Sequence, residues 1–322
     1  MKAAVYYETG DPSVFRYEEL PDPVCRPSGV IIDVKAIGIQ GGDTLHRQGG
    51  VMATTPHIVG YQCSGIIREV GANVTDREPG QAVVATMGFG SHASMVSVPA
   101  QATYVVPHGM DLKVAACVPI EFATADDCLF EFGHLKAGET VLIHAGASGV
   151  GIAGIQLAKR AGATVIATAS SDDRLARLKD IGLDHAINYV RENFVARTLQ
   201  LTEGRGADLV VDSVGGKTLE GSIAALAYRG RVSWVGRAGR EDATPEIWPL
   251  MQKNASITGV FLGAEMQVQP ERCRELIERL LMDVARGGLH VMIDRVFPLK
   301  DAADAHRYIE SRKAFGRVVM EP

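Results

Sequence analysis

The most specific chemistry in this chain sits in the run Gly146-Ala147-Ser148-Gly149-Val150-Gly151, which is close to GxGxxG, with Ser148 in the place of the middle glycine. Alone, such a run is also a tight turn that needs small residues. Its setting favours a nucleotide. It follows the apolar stretch "ETVLIH" and opens "GIAGIQLAKRAG", whose apolar residues recur at helical spacing. Free N–H groups and the helix dipole then point at a pyrophosphate, and Gly149 and Gly151 permit close approach.

The end of the next strand, "ATVIATAS", separates two cofactors, since an acid there would accept a ribose 2′-hydroxyl but repel a 2′-phosphate. Ser170 and Ser171 occupy that place, Arg174 follows one helical turn later, and Tyr189 ends the third strand. These donors suit a phosphate dianion and predict NADPH. Asp172 and Asp173 weigh against it but fit the N-cap and first turn of the following helix, where acids offset the dipole.

The strands and helices that carry these residues show in the pattern of the sequence. At 322 residues the chain exceeds one core, which predicts two lobes with a ligand cleft between them. The first hundred residues carry short β-branched runs broken by Gly and Pro ("GVIIDVKAIGI", "QAVVATM", "TYVVP"), the pattern of an irregular, strand-dense lobe. From about residue 138 strands and helices alternate. "ETVLIH", "ATVIATAS", "HAINY", "ADLVVDSVG", "GRVSWVG" and "SITGVFLG" read as six strands, and Gly182 closes the helix "DDRLARLKDIG". The expected fold class is α/β, with a β-rich substrate lobe and a doubly wound parallel six-stranded sheet of Rossmann type. The expected boundaries are 1–122 with 264–322 returning to it, and 123–263; in the returning part "PERCRELIERLLMDVARGGL" is an amphipathic helix and "VFPLKDAADAHRYIESRKAFGRVVM" is strand, helix, strand.

A net charge of −5 provides no basic field for nucleic acid or an acidic membrane, and no stretch approaches the roughly 20 apolar residues of a span. The opening "MKAAVYYETG" lacks a signal pattern, which predicts a soluble cytoplasmic protein. Cys25, Cys63, Cys117, Cys128 and Cys273 stand far apart without a CxxC pair, against a disulfide framework or a zinc knuckle.

Across nearly its whole length the sequence resembles the medium-chain dehydrogenase/reductase superfamily, in its quinone oxidoreductase (zeta-crystallin-like) branch. "AIGIQGGDTLHRQG" is similar to that branch's AxGxNxxDxxxRxG segment, with Asp43 and Arg47 in register and Gln40 for the Asn. "PHIVGYQCSGIIREVG", "HAGASGVG", "TASSDDRLARLKDIGLDHAINY" and the tail "VFPLKDAADAHRYIESRKAFGRVVMEP" agree in order and spacing. The resemblance implies a GroES-like substrate lobe and a homodimer formed through the last Rossmann strand, around Thr258 to Leu262. It also implies cofactor contacts at Asp43, Gly215, Gly236, Phe261, Leu262, Gly263 and Arg317.

The departures bear on the chemistry. Where zinc-dependent relatives hold a Cys and a Gly-His-Glu run, this chain has Gln40, Tyr61 and Gln62, so no metal is expected. In "EFATADD" Asp126 and Asp127 follow Thr124 and Ala125 where the branch often has an aromatic residue, and Leu45 and Val51 fall where tyrosines occur in some relatives. The expected reaction is hydride transfer from NADPH to a quinone or α,β-unsaturated carbonyl, with Gln40, Tyr61 and Thr124 as candidate donors to the acceptor's oxygen. For each an alternative stays open: Gln40 bracing the nicotinamide ribose, Tyr61 packing, Thr124 capping a helix. Asp43 and Arg47 are either a pair that holds the loop under the cofactor or a surface pair, and His46 and His57 are expected to face solvent. Two other readings are an enoyl-thioester or aldehyde reductase of the same fold, and a non-catalytic NADPH-binding structural or RNA-binding protein.

Overall fold

Short β-branched runs separated by turn residues fold the N-terminal part of the chain into strands. In this computed structural model, which describes residues 1–322, β1 (Lys2–Val5) pairs antiparallel with β2 (Arg16–Glu19). β3 (Gly29–Gly38) leads into helix α1 (Gly41–Gly49), followed by β4 (Gln62–Val70), β5 (Ala82–Thr86), β6 (Met95–Pro99), β7 (Thr103–Val105) and the short α2 (Leu112–Ala115). β3 is antiparallel to both β4 and β6, with Val30 opposite Val70 and Val98. Ile32, Ile37, Ile67, Val83 and Val96 fill the core beneath this sheet.

The alternating region begins with α3 (Pro119–Asp126), which runs into one π-helical stretch, Asp127–Glu131. It continues through β8 (Thr140–Ile143), α4 (Gly149–Arg160), β9 (Thr164–Ala169), α5 (Asp172–Lys179), β10 (His185–Asn188) and α6 (Phe194–Leu201). Its second half is β11 (Ala207–Asp212), α7 (Gly216–Ala224), β12 (Leu226–Trp234), α8 (Trp248–Lys253), β13 (Ser256–Gly259) and α9 (Leu262–Val268). All six strands are parallel, in the order β10-β9-β8-β11-β12-β13. The order reverses between β8 and β11, so their C-terminal ends form the switch point at which such sheets bind ligands. Leu142, Ile166, Ile187, Val210 and Val232 are buried along the sheet, which explains the near-continuous apolar runs.

α10 (Pro270–Ala285), β14 (Ile293–Pro298), α11 (Ala302–Glu310) and β15 (Arg317–Glu321) complete the chain. β14 and β15 extend the first sheet to the order β14-β15-β3-β4-β5-β7, with β6 against β3. The contacts separate two units, Met1–Ile120 with Arg274–Pro322, and Glu121–Cys273. Residues 264–273 group with the second unit, where Arg272 pairs with Asp127 at 2.8 Å and with Glu265 at 2.9 Å.

The expected α/β class and six-stranded parallel sheet are found, with one difference in extent. "SITGVFLG" is a strand only to Gly259, and Leu262 and Gly263 lie in the first turn of α9. The ladder stops because its one neighbour, β12, ends at Trp234, and Val260 N–H makes the last bond to that residue's carbonyl at 2.9 Å. No helix is long and apolar enough to cross a membrane.

Candidate active site

In the second unit the glycine-rich turn leaves β8 with Ala145 at φ +50° and bonds Gly146 N–H to Thr168 O at 2.8 Å. A Cβ on Gly151 would lie 2.4 Å from Ala145 O, and one on Gly146 would lie 2.9 Å from Ala167 Cβ, so both glycines are needed for the turn to close onto the helix. Ser148 is the N-cap of α4, its Oγ accepting from Gly151 N–H at 3.1 Å. That accounts for a serine in the middle position. With Gly151 capped and Ile152 N–H bonded to Ser148 O, the amides of Gly149 and Val150 lie at the open, positive end of the helix. Ala147 is buried and Val150 half-buried beside them.

At the end of β9 the expected donors come together. Arg174 donates to Ser170 Oγ at 2.5 Å and, through Nε, to Ser171 Oγ at 3.1 Å, while Ser171 caps α5. Tyr189 joins them through its backbone, whose N–H bonds Ala169 O at 3.2 Å, and its side chain is exposed. Asp172 and Asp173 lie in the first turn of α5. Asp172 is engaged by Asn188 Nδ2 at 2.7 Å and by Arg191, both on its far side from the serines in sequence.

Asp212 ends β11 and organises the next loop. Its Oδ1 accepts from Val214 N–H at 2.8 Å and Gly215 N–H at 2.9 Å, holding Gly215 at φ +74° as the cap of α7. Gly236 approaches the same loop, since a Cβ there would lie 3.0 Å from Ser213 O. Phe261 caps α9 with its ring exposed over Gly263, and Leu262 is buried. Thr124 lies inside α3, buried, and is not a helix cap.

The first unit gathers a second set. Gln40 is the N-cap residue of α1, and its backbone N–H donates to Asp43 Oδ2 at 2.8 Å. The Tyr61 hydroxyl lies over the first turn of α1, at a place that a Cβ on Gly42 would occupy. Arg317 donates to the carbonyl of Ile39, next to Gln40. Asp43 and Arg47 are both fully buried, which removes the surface-pair reading. Arg47 donates to Gly10 O at 2.8 Å and pairs with Glu310 on α11, a residue that sequence reasoning did not single out. Burial, reinforced by the Asp43 carboxylate and opposed by Arg47, pushes the Tyr6 phenol up to about 12.

The expectation that His46 and His57 face solvent is overturned. His57 is fully buried and His46 half-buried, with the two rings stacked 5.0 Å apart and Phe89 and Tyr6 closing around His57. Aromatic packing at the end of α1 removes the His57 imidazole from water and covers part of His46. Burial, with His46 adding to it, lowers the His57 pKa. His92 and His306 are also buried and meet Nε2 to Nε2 at 3.0 Å.

Gln62 Oε1 accepts from Ile120 N–H at 3.3 Å, and no group of three or more His, Cys, Asp or Glu is placed to hold a metal ion. The polar chain from His144 through Ser222 to Asp212 was also missed. Its signal was faint: a polar residue closing each of two apolar strands, "VLIH" and "DLVVD".

Two family models match the chain: "Alcohol dehydrogenase GroES-like domain" over residues 26–108 and "Zinc-binding dehydrogenase" over residues 149–282. The chain is 32% identical over 330 residues to a 2-haloacrylate reductase from Burkholderia sp, covering 99% of this chain and 98% of that protein. It is 31% identical over 316 residues to a quinone oxidoreductase from Pseudomonas aeruginosa, covering 97% of each. The crystal structure of Escherichia coli quinone oxidoreductase complexed with NADPH superimposes with a TM-score of 0.93 at 27% identity, over 100% of both chains. With its two sheets, glycine-rich turn and whole-length likeness to these proteins, the chain belongs to the medium-chain dehydrogenase/reductase superfamily, an oxidoreductase family, and within it to the quinone oxidoreductase branch.

Proposed function

We propose that this protein is a zinc-independent, NADPH-dependent oxidoreductase that reduces a quinone or an α,β-unsaturated carbonyl compound. The observation that carries the cofactor reading is Arg174 held between Ser170 and Ser171 at the end of β9, where an acid would select NADH. The NADPH in the Escherichia coli structure and the activated alkene in the name of the Burkholderia reductase support the same reading.

When bound, the dihydronicotinamide supplies the hydride. The amides of Gly149 and Val150 and the α4 dipole hold the pyrophosphate, within the turn Gly146 to Gly151. Ser170, Ser171, Arg174 and Tyr189 hold the 2′-phosphate. Further cofactor contacts are assigned to Asp43, Gly215, Gly236, Phe261, Leu262, Gly263 and Arg317. For Asp43 the role is indirect, through the Gln40 backbone that it caps. Negative charge that grows on the acceptor's oxygen is met by Gln40, Tyr61 or Thr124, preorganised donors doing the work of a Lewis acid. In place of zinc ligands the chain offers an amide and a phenol, which are suited to donate hydrogen bonds. Pairing of two copies along the open edge of β13 makes the homodimer; light scattering reads its mass.

The test follows oxidation of NADPH and NADH by the chelator-treated protein with quinones, enones and aldehydes. Turnover that prefers NADPH and ignores the chelator is expected. R174A should raise the KM for NADPH about tenfold, the cost of a charge-assisted phosphate contact, and leave NADH unchanged. NADH preference in the wild type overturns the cofactor reading, and NADPH binding without turnover on any acceptor overturns the catalytic one.

A further inference from the structure

Four buried polar side chains lie beneath the switch point of the parallel sheet, one from each of β9 and β11, one directly after β8, and one from α7. Thr168 Oγ1 is 3.1 Å from His144 Nδ1, His144 Nε2 is 3.0 Å from Ser222 Oγ, and Ser222 Oγ is 2.7 Å from Asp212 Oδ2. His144 is 3% exposed and Asp212 and Ser222 are fully buried, with the Phe194 ring packed edge-on against the imidazole at 4.7 Å.

The protons in this chain have one consistent direction. The Asp212 carboxylate only accepts, so the single hydroxyl proton of Ser222 goes to it, in preference to the neutral Thr218 carbonyl at 2.9 Å. Ser222 Oγ then accepts from His144 Nε2–H, which leaves Nδ1 to accept from the Thr168 hydroxyl. His144 is thereby neutral and in the Nε2–H tautomer, and burial lowers its pKa in agreement.

His144 and Asp212 each bear on a glycine loop. His144 is the residue before Ala145, at φ +50°, and Gly146, so its ring anchors the start of the phosphate turn. Asp212 Oδ1 holds the amides of Val214 and Gly215. A network that served core stability alone could be replaced by apolar side chains at little cost. This one instead sits at the strand ends and ties two loops that share no strand.

We propose that His144, Ser222 and Asp212 are positioning residues for the dinucleotide, a hydrogen-bonded tie that sets the glycine-rich turn and the Ser213–Gly215 loop to a common geometry before the cofactor arrives. The inference rests on the nucleotide reading given above.

The test measures NADPH affinity by fluorescence titration, the melting temperature without cofactor, and the tautomer of His144 by nitrogen-15 NMR, assigned from the signal lost in H144Q. Wild-type His144 is expected as Nε2–H. D212N puts a donor in place of the acceptor, so Ser222 accepts from Asn, donates to His144, and drives the imidazole to Nδ1–H. S222A is expected to raise the NADPH dissociation constant about tenfold, with the KM for the quinone unchanged, and T168V about threefold. If S222A does not fold, T168V and the wild-type tautomer carry the test. Wild-type protein that binds no NADPH overturns the nucleotide reading and this inference with it. Wild-type binding with unaltered affinity in the variants, or a wild-type Nδ1–H imidazole, overturns this inference alone.

Discussion

His144 in the second unit and His57 in the first are equally buried but differently partnered. Both nitrogens of His144 lie within hydrogen-bond distance of hydroxyl groups, whereas neither nitrogen of His57 has a partner. His306 is intermediate, with Nε2 on His92 and Nδ1 unpartnered. The satisfied ring sits under a loop whose geometry a ligand must meet. The rings of His57 and His306 lie in a run of aromatic contacts from Phe89 through His57, Tyr6 and Phe15 to His306 and His92. A buried polar group costs little when its hydrogen bonds are complete and one to several kcal/mol when they are not. Among the buried histidines, the first unit therefore carries unpartnered ring nitrogens that the second lacks.

Acid separates the units by number, because burial lowers the pKa of three histidines in the first unit and of one, His144, in the second. Burial lowers the pKa of His92 to about 3, lowers that of His57, and lowers that of His306 well below its usual value, where His92 and Arg47 add to the effect. Each ring is neutral when folded and charged when unfolded below pH 6.5. Its share of stability is complete above pH 6.5 and is lost as pH falls towards the folded value, at up to about 1.4 kcal/mol per pH unit for each histidine. Asp43, Arg47 and Glu310 lie around this stack, and the charges on Arg47 and His46 oppose protonation further. Denaturant unfolding between pH 7 and pH 4 should show a steep loss, and hydrogen exchange should locate it in the first unit. An equal loss in the second unit would break the comparison.

Replacing each imidazole by a ring or chain without nitrogens sharpens it at neutral pH. H144L strands Ser222 and Thr168 beside a buried carboxylate and should cost about 3 kcal/mol. H57F removes two unpartnered nitrogens, keeps the ring stack, and should raise stability by about 1 kcal/mol while flattening the acid limb. Chemical denaturation of both variants reads the two signs directly. A loss of similar size in both would mean that packing, and not hydrogen bonding, governs these sites.

What could be read in advance divides along lines of sequence distance. Ser148 caps the helix that it opens, and Ser170, Ser171 and Arg174 lie within five residues of one another. Strand and helix periods carried the parallel sheet, because both faces of its strands are buried. The seating of the Tyr61 hydroxyl over the first turn of α1 needed the structure, where Gly42 has no side chain to occupy that place.

The class of the fold, the nucleotide turn and the character of the group that ends β9 follow from the order of residues, since these depend on residues within a turn or two of each other. That Arg47 pairs with Glu310 across 263 positions, that His57 is buried, and that His144 reaches Ser222 across 78 are consequences of folding in three dimensions. Local spacing constrains backbone conformation, whereas a polar side chain's partner is set by which strands and helices the fold brings alongside it.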